Sequence, residues 1–333
     1  MSERRDLPDP RLAAHHAHRG MATWGDRLVP LGEFRAAAES SGGARSPAER
    51  AASAAALWSR EPDPTPYEGP YARIAVCGGV YSNHLALEAF LAEAQQRGAE
   101  MVYCLGDLGG FGPSPERVWP LAASAGVRTV AGNYEESLAS GREDCACGYT
   151  DPRDNHFAAL SYAYTARSSS PAFKRWMGEL PKRRRLRLGD RRALLVHGSP
   201  RRTNEFLFDS TTPDAFLERL LAAEQCDLLL CTHTGLHWQR ALPSGRQVVN
   251  VGALGRPAND GSTSVWAAFL EADRQEAAAP RVELVPITYD HRGLGQEMRR
   301  ERLPEEFIVT IETGWWTTCL EILPARERAA GRY

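Results

Sequence analysis

The stretch MVYCLGDLGG, residues 101–110, contains the pattern that decides the fold. Its first five residues are apolar, as in a buried strand, and a glycine-rich turn with a single carboxylate follows at once. The same order of strand, small-residue turn and one polar side chain occurs three more times, after Val130, Val196 and Cys231. One such turn is unremarkable by itself, but four in one chain indicate a shared site.

The four turns carry, in chain order, Asp107, Asn133, His197 and His233. Functional sites of α/β proteins gather at the carboxyl ends of strands, so these four side chains can converge. Together they offer oxygen and nitrogen donors, a set that suits manganese, iron or zinc. Each residue alone is more often an ordinary turn or core residue, and the prediction depends on all four.

The remaining pattern predicts a layered fold. Strands alternate with helices at first and then follow one another closely, which favours a mixed α/β layered fold over a purely parallel sheet. Further strands are predicted at 73–77, 127–131, 193–196, 228–231 and 247–251, a closing pair at 264–270 and 281–288, and helices at 85–96 and 154–178. Two more helices are predicted at 11–18 and 47–59, before a proline-rich linker at 61–66.

Composition narrows the class of protein. The 333 residues have a formal net charge of -2, which argues against nucleic-acid and membrane-surface partners because both need a strong basic field. We see no signal peptide and no apolar run of transmembrane length. Of the seven cysteines, Cys77, Cys104 and Cys231 lie in apolar runs, as reduced buried thiols do. These features predict a cytoplasmic globular protein; its oligomeric state stays open.

The order of the motifs resembles that of the calcineurin-like metallophosphoesterase superfamily, particularly its compact bacterial phosphodiesterase branch. The resemblance extends from about Arg73 to about Leu303 and includes stretches outside the four turns, such as 86–91 and 249–253. It implies an αββα sandwich of mixed sheets and a metal-dependent hydrolase whose substrate is a phosphate ester of a small molecule or nucleotide. It also implies three parts of the chain: an N-terminal extension at 1–70, the domain at 71–303, and a C-terminal extension at 304–333.

Three motifs depart from the family pattern. Gly79 and Tyr81 stand where the family has Asp and His, Tyr134 replaces a histidine near the leaving group, and Gly235 replaces the last histidine. In the family, the lost positions belong mainly to one of two metals. The other metal uses the positions that are retained, so the resemblance implies one divalent transition metal held by Asp107, Asn133, His197 and His233.

With one metal missing, other groups must supply charge and protons. Arg256, on a loop that approaches the site in the family, is one candidate, and the phenol of Tyr134 is a second. Tyr81 could either ligate the metal or fill the vacated volume. Substrate contacts are expected from the turn before the first helix and from His237, which could equally be a surface histidine; the predicted contacts of that turn are Gly78, Gly79, Ser82 and Asn83.

Three features have two interpretations each. The basic run Lys182-Arg183-Arg184-Arg185 fits a solvated hairpin or a polyanion-binding strip. Cys145-Ala146-Cys147 fits a plain loop, or a redox or extra metal site. Trp315-Trp316 fits packing against the domain or a partner. For the whole chain, the alternatives to a hydrolase are a metalloenzyme repurposed for non-phosphate chemistry and a non-catalytic binding module.

Overall fold

The computed structural model describes Met21–Trp24, Arg27–Pro30, residues 65–272 and residues 278–331. Strands β1 (Met21–Trp24) and β2 (Arg27–Pro30) form an antiparallel pair within the unit Met1–Ser59. The helices expected at 11–18 and 47–59 lie outside the described residues. Every other described element belongs to the unit Arg60–Tyr333.

This larger unit contains two mixed β-sheets. Its strands are β3 (Glu68–Tyr71), β4 (Arg73–Cys77), β5 (Met101–Cys104), β6 (Arg128–Thr129), β7 (Arg183–Leu188), β8 (Arg191–Val196), β9 (Leu228–Cys231), β10 (His237–Ala241), β11 (Gln247–Val251), β12 (Val265–Glu271) and β13 (Arg281–Ile287). The six-stranded sheet has the order β10-β11-β9-β8-β7-β3, and the five-stranded sheet the order β13-β12-β4-β5-β6. Strands β4, β5 and β6 are parallel, as are β8 and β9.

The described helices connect and cover these strands. They are α1 (His84–Gln96), α2 (Pro115–Ser124), α3 (Asn133–Ser140), α4 (Pro152–Ser168), α5 (Pro171–Gly178), α6 (Asp214–Ala223), α7 (His291–Arg300), α8 (Glu305–Thr313) and α9 (Ala325–Ala329). No helix of the described chain is both long and apolar enough to cross a membrane.

Strand β4 shows how the layers are built. Successive side chains of a strand point to opposite faces, and here both faces are buried. Ile74 and Val76 belong to the apolar cluster between the two sheets, together with Leu195 and Leu230 of the six-stranded sheet. Ala75 and Cys77 point the other way, into a cluster with residues of α1 and α2. The predicted α/β sandwich of mixed sheets is confirmed.

Most predicted elements are present, with two differences. The helical region expected at 154–178 is two helices, because the chain turns extended at Ser169 and Ser170 and a new helix begins at Pro171. Proline suits the first turn of a helix, and the Ser170 hydroxyl accepts from the N–H of Phe173. The basic run enters the β7–β8 hairpin, but it is less solvated than expected, since Arg185 is buried and paired with Glu224.

Helix α8 lies in the segment after residue 303 and is part of the core. Phe307, Ile308 and Ile311 are buried in the same cluster as Phe90 of α1. The three apolar residues fall on one face of the helix because they are one, three and four positions apart. This packing brings the C-terminal segment beside the functional site. The domain boundaries at 70 and 303 remain a prediction.

Candidate metal centre

The carboxyl ends of strands from both sheets meet at one edge of the sandwich. Asp107 and Asn133 follow β5 and β6 of the five-stranded sheet, and His197 and His233 follow β8 and β9 of the six-stranded sheet. All four side chains are buried. The parallel strands therefore deliver every polar residue singled out from the four turns to the same region.

Two glycines permit the close approach of the first two turns. A Cβ at Gly106, which has a φ of 90°, would lie 2.4 Å from the backbone nitrogen of Gly132. A Cβ at Gly132 would lie 2.2 Å from the Oδ1 atom of Asp107 and 2.9 Å from the Nδ1 atom of His197. Only glycine fits where two backbones approach this closely. The glycines next to Asp107 and Asn133 are thus steric requirements of the site.

Glu135 braces the same two turns. Its carboxylate accepts hydrogen bonds from the N–H groups of Asp107 at 2.7 Å, Leu108 at 2.8 Å and Gly132 at 2.8 Å. Burial and the charge of Asp107 raise the pKa of Glu135 to about 7, against these three bonds. The sequence analysis did not single this residue out. The available signal was an acidic residue three positions after Gly132 at a helix start, where it can bond back to the backbone.

Three side chains form a group of metal-capable atoms: Asp107, His197 and His233. The Nε2 atom of His197 lies 3.2 Å from the Oδ2 atom of Asp107 and 3.1 Å from the Nδ1 atom of His233. One ligand atom from each residue lies within 4.8 Å of the others. Two ligands bound about 2.1 Å from one metal at octahedral or tetrahedral angles are separated by about 3.0–3.4 Å. The 3.2 Å and 3.1 Å separations fit that range.

Backbone carbonyls determine which imidazole nitrogens carry protons. The Nδ1–H of His197 donates to the carbonyl of Leu105 at 2.6 Å, and the Nε2–H of His233 donates to the carbonyl of Cys147 at 3.2 Å. In the neutral rings, the other nitrogen of each histidine is therefore an acceptor. Those two acceptors face each other and the Asp107 carboxylate. Three converging lone pairs need a hydrogen-bond donor or a cation among them, and a metal ion would satisfy all three at once.

The pKa values of the group agree with that requirement. Burial raises the pKa of Asp107, but the charge of His197 and hydrogen bonds lower it below its ordinary value, so the carboxylate is ionised. Burial lowers the pKa of His197, but Asp107 more than offsets this and raises it. Burial and the charge of His197 lower the pKa of His233 to about 3, which keeps that ring neutral. Metals bind a carboxylate and neutral imidazoles, so a metal ion at this site would displace the proton that the raised pKa favours on His197.

Asn133 completes the predicted set. Its side-chain Nδ2 donates to the carbonyl of Cys145 at 2.9 Å, and the sulfur of Cys147 lies 3.3 Å from it. This orientation leaves Oδ1, which is buried and has no hydrogen-bond partner among the described residues. Buried polar atoms almost always have a partner, and Asn133 lines a cavity together with Asp107 and His233, so its free oxygen is available to a ligand bound there.

Comparisons with known proteins agree with this arrangement. The sequence profile of the calcineurin-like phosphoesterase superfamily domain matches residues 73–273. The chain belongs to the calcineurin-like phosphoesterase superfamily. Its members use divalent metals, and the triad of Asp107, His197 and His233 is this member's candidate metal site.

The chain is also similar to individual proteins, and the two solved structures among them share its fold. An uncharacterized protein of Methanocaldococcus jannaschii, MJ0912, is 23% identical over 248 residues, which cover 70% of this chain and 94% of that protein. A metallophosphoesterase from Sphaerobacter thermophilus superposes with a TM-score of 0.56 at 24% identity, covering 73% of this chain and 99% of that one. The hypothetical protein PH1004 from Pyrococcus horikoshii gives 0.61 at 22% identity, covering 74% and 99%.

The position of the family's first aspartate is filled by a neighbouring ring. A Cβ at Gly79 would lie 2.4 Å from the Cε1 atom and 2.6 Å from the Cζ atom of Tyr81. The Tyr81 ring therefore occupies the space into which a side chain at position 79 would extend. Burial and the charge of Asp107 raise the pKa of Tyr81 well above its ordinary value, which opposes a phenolate.

Tyr134 is buried and lies over a glycine of the Asp107 turn. Its hydroxyl is hydrogen-bonded to the Ser161 hydroxyl at 2.8 Å, and its ring lies 3.1 Å from the position of a Cβ at Gly110. Burial raises the pKa of Tyr134 well above its ordinary value. The phenol is therefore a hydrogen-bond donor or acceptor here, and it lines a small cavity that also contains Asp107 and His233.

Arg256 lines the same cavity, whose volume is about 60 Å³. Its guanidinium is buried, stacks 3.7 Å from the ring centroid of Trp316 and donates to the carbonyl of Thr318 at 2.7 Å. The Nε atom has no hydrogen-bond partner in the described chain. The C-terminal segment thus positions a cation at the site, and Cys319 of that segment lines the cavity as well.

The predicted substrate contacts lie in different places. Gly78 packs so tightly that a Cβ would lie 1.9 Å from the carbonyl oxygen of Gly252, and Ser82 is buried with an unpartnered hydroxyl. Asn83 caps α1 by accepting from the N–H of Ala86. His237 stacks on Trp266 at a centroid distance of 3.8 Å and is not among the residues that line this cavity.

Two backbone N–H groups of the turn before α1 already donate hydrogen bonds within the protein. The N–H of Tyr81 donates to the carbonyl of Asp107 at 3.0 Å, and that of Ser82 donates to the carbonyl of Leu108 at 2.7 Å. The predicted anion contact of this turn therefore receives no help from these two groups. Their bonds instead tie the turn to the metal-binding turn.

Cys145 and Cys147 are joined by a disulfide, which the spacing had not predicted. The other five cysteines are free and buried, as expected for most of them. The bonded pair lies directly behind the predicted ligands, because Cys147 contacts both Asn133 and His233. The Cys145–Cys147 loop is therefore part of the wall that orients two of the four predicted ligands.

Proposed function

We propose that this chain is a metal-dependent hydrolase of a small phosphate ester that works with one divalent transition metal, such as manganese, iron or zinc. The metal would be held by Asp107, Asn133, His197 and His233. The protein would be cytoplasmic, as its composition suggests. The proposal extends the family's general chemistry to a member that lacks several of the family's usual ligand types.

One observation carries the proposal: acceptors of Asp107, His197 and His233 converge, and Asn133, whose buried Oδ1 has no hydrogen-bond partner in the described chain, lines the same cavity as Asp107 and His233. The carbonyls of Leu105 and Cys147 orient the two imidazoles so that their lone pairs face Asp107. A purely structural polar cluster would pair donors with acceptors. Here three acceptors converge instead, and a metal ion would satisfy all of them.

The positions at which the family's other metal ligands are missing favour a site with a single metal. Gly79 offers no ligand atom, and the Tyr81 ring fills the adjacent volume as a protonated phenol. We infer that Tyr81 fills space in preference to ligating. These positions provide no ligands for a second metal ion, so the additional positive charge would have to come from a side chain. Arg256 lines the cavity and can supply it.

The chemistry divides between the metal and the chain. A divalent ion in this pocket would polarise a phosphoryl oxygen and acidify a water. Arg256 would bind a non-bridging phosphate oxygen, since a buried guanidinium favours an anion. The Tyr134 hydroxyl would donate a hydrogen bond to the substrate. Tyrosine is a weak acid, so leaving-group protonation would be poor and phosphodiester turnover slow, by about 10²-fold or more relative to an imidazole acid.

The test is an assay of activated phosphomonoesters and diesters with manganese, iron or zinc. We expect metal-dependent turnover that Asp107→Ala abolishes. Asp227→Ala is the matched control, because it also removes a partly buried carboxylate but one that pairs with Arg192 instead of lying at the site. Thermal unfolding of both variants would verify that they are folded.

The alternatives predict different results. Inertness toward every phosphate ester with one tightly held iron would contradict the hydrolase and favour repurposed, non-phosphate metal chemistry. Inertness without any bound metal would leave a binding module. Turnover that persists in Asp107→Ala would also refute the proposal, because it would place the chemistry elsewhere.

A further inference from the structure

A larger cleft opens beside the metal triad. Its volume is about 370 Å³, within the range of small-molecule sites, and its wall includes Asn133 and His197. The rest of the wall is strongly basic. We call it the basic cleft, and its cationic side chains are Arg142, Lys182, Arg183, Arg201 and Arg202.

The cations of the basic cleft outnumber the carboxylates near them. Four of the five cations share three carboxylates, in the pairs Arg183–Glu224, Arg201–Glu205, Arg202–Glu205 and Lys182–Glu136. Only Glu136 among these acids lines the cleft itself. Arg142 forms no ion pair with any residue that the structure describes. The cleft therefore has an excess of positive charge that the protein does not neutralise.

This excess is local. The whole chain has a net charge of -2, whereas proteins that track a nucleic-acid backbone are usually strongly basic. The side chains of Lys182 and Arg202 are 70% and 66% exposed, which leaves them able to reach a ligand. A focused patch in a cleft of this size suits a compact anion, and the two metal ligands in its wall place that anion next to the reacting phosphate.

We propose that the basic cleft binds a second phosphate group of the substrate. The natural substrate is then a small phosphate ester with two phosphates, one at the metal ligands and the other among Arg142, Lys182 and Arg202. The inference rests on the proposed function and narrows it to a class of substrate. Guanidinium and ammonium groups are the usual phosphate-binding side chains.

Binding can be measured without turnover by using phosphonates, which are not hydrolysed. The probes are α,ω-alkanediphosphonates with one to six methylenes, each compared with the alkylphosphonate of equal length by calorimetric titration of the manganese-loaded protein. We expect one optimum length at which the diphosphonate binds about tenfold or more tightly, with an advantage that shrinks at high salt. The optimum length would also measure the distance between the two phosphate positions.

Variants of the basic cleft test whether its side chains cause the tighter binding of the diphosphonate. Arg142→Gln and Lys182→Gln should each reduce the diphosphonate affinity by about three- to tenfold while leaving alkylphosphonate affinity unchanged. Arg281→Gln is the matched control: its side chain is 74% exposed, similar to Lys182, and it does not line the cleft. It should leave both affinities unchanged.

The outcomes separate this inference from the proposed function. Equal affinity for the two members of every probe pair would overturn the second phosphate site but leave the metal site standing. An advantage that survives both cleft variants would also overturn it, because chelation of the metal would then be the cause. Failure of every phosphonate to bind would overturn the proposed function and this inference with it. A short single-stranded RNA that competes better than every diphosphonate would refute the small-molecule assignment.

Discussion

Adding one methyl group at Gly79 should test whether the Tyr81 ring fills the vacated ligand position. The new Cβ would lie 2.4 Å and 2.6 Å from two ring carbons, whereas carbon atoms in contact are normally about 3.5–4.0 Å apart. The ring must therefore move by about 1 Å. It is not free to do so by a backbone shift, because the Tyr81 N–H donates to Asp107 and its carbonyl accepts from Gly112 at 2.9 Å.

The expected magnitude follows from this overlap. Forcing extra atoms into a packed site costs about 1–3 kcal/mol, so Gly79→Ala should lower the free energy of unfolding by that amount. In a Tyr81→Ala background the obstructing ring is gone, and the same change at Gly79 should cost almost nothing. The coupling energy of the double-mutant cycle should thus be about 1–3 kcal/mol.

Urea unfolding of the wild type, both single variants and the double variant supplies the four free energies. Gly178→Ala is a suitable control, since its Cβ would make an ordinary contact of 3.4 Å with the Ala139 Cβ. Costs that add within about 0.5 kcal/mol would refute the idea that the ring blocks position 79. In the same series, Gly79→Asp with Tyr81→His should not raise activity; a gain in activity with a second bound metal would show a weakened two-metal site instead.

Three other predictions address the metal and the fold. Elemental analysis should find about one metal per chain, and two equivalents would contradict the single-metal site. His197→Ala and His233→Ala should each abolish most metal binding. Asn133→Ala should weaken metal binding less, because an amide is a poorer ligand. Gly132→Ala should also lose metal, because its Cβ would lie 2.2 Å from a ligand oxygen. Burial raises the pKa of Glu68, but bonds from a tyrosine and two arginines lower it below 4.5 overall, so stability is present above that value and is lost as pH falls. Glu68→Gln should flatten this acid-side slope in urea titrations, and an unchanged slope would exclude the effect.

Sequence reasoning reached the strands, the layered fold and the four polar turns. It succeeded because apolar strands and glycine-rich turns are local features that can be recognised in short stretches of sequence. The ends of β5, β6, β8 and β9 could be found this way, and the resemblance supplied their order. The break between α4 and α5 was missed because the helical pattern continues across Ser169 and Ser170.

Features that depend on distant segments were decided only by the tertiary structure. Nothing in the chain near Arg256 shows that Trp316 stacks on it, sixty residues later, or that the Cys147 carbonyl orients His233. The basic cleft likewise draws Arg142 and Arg202 from separate loops. The sequence by itself determined which residues could bind a metal, because ligand chemistry belongs to single side chains. The tautomers, the filled ligand position and the excess charge arise from contacts between segments, so only the folded chain determines them.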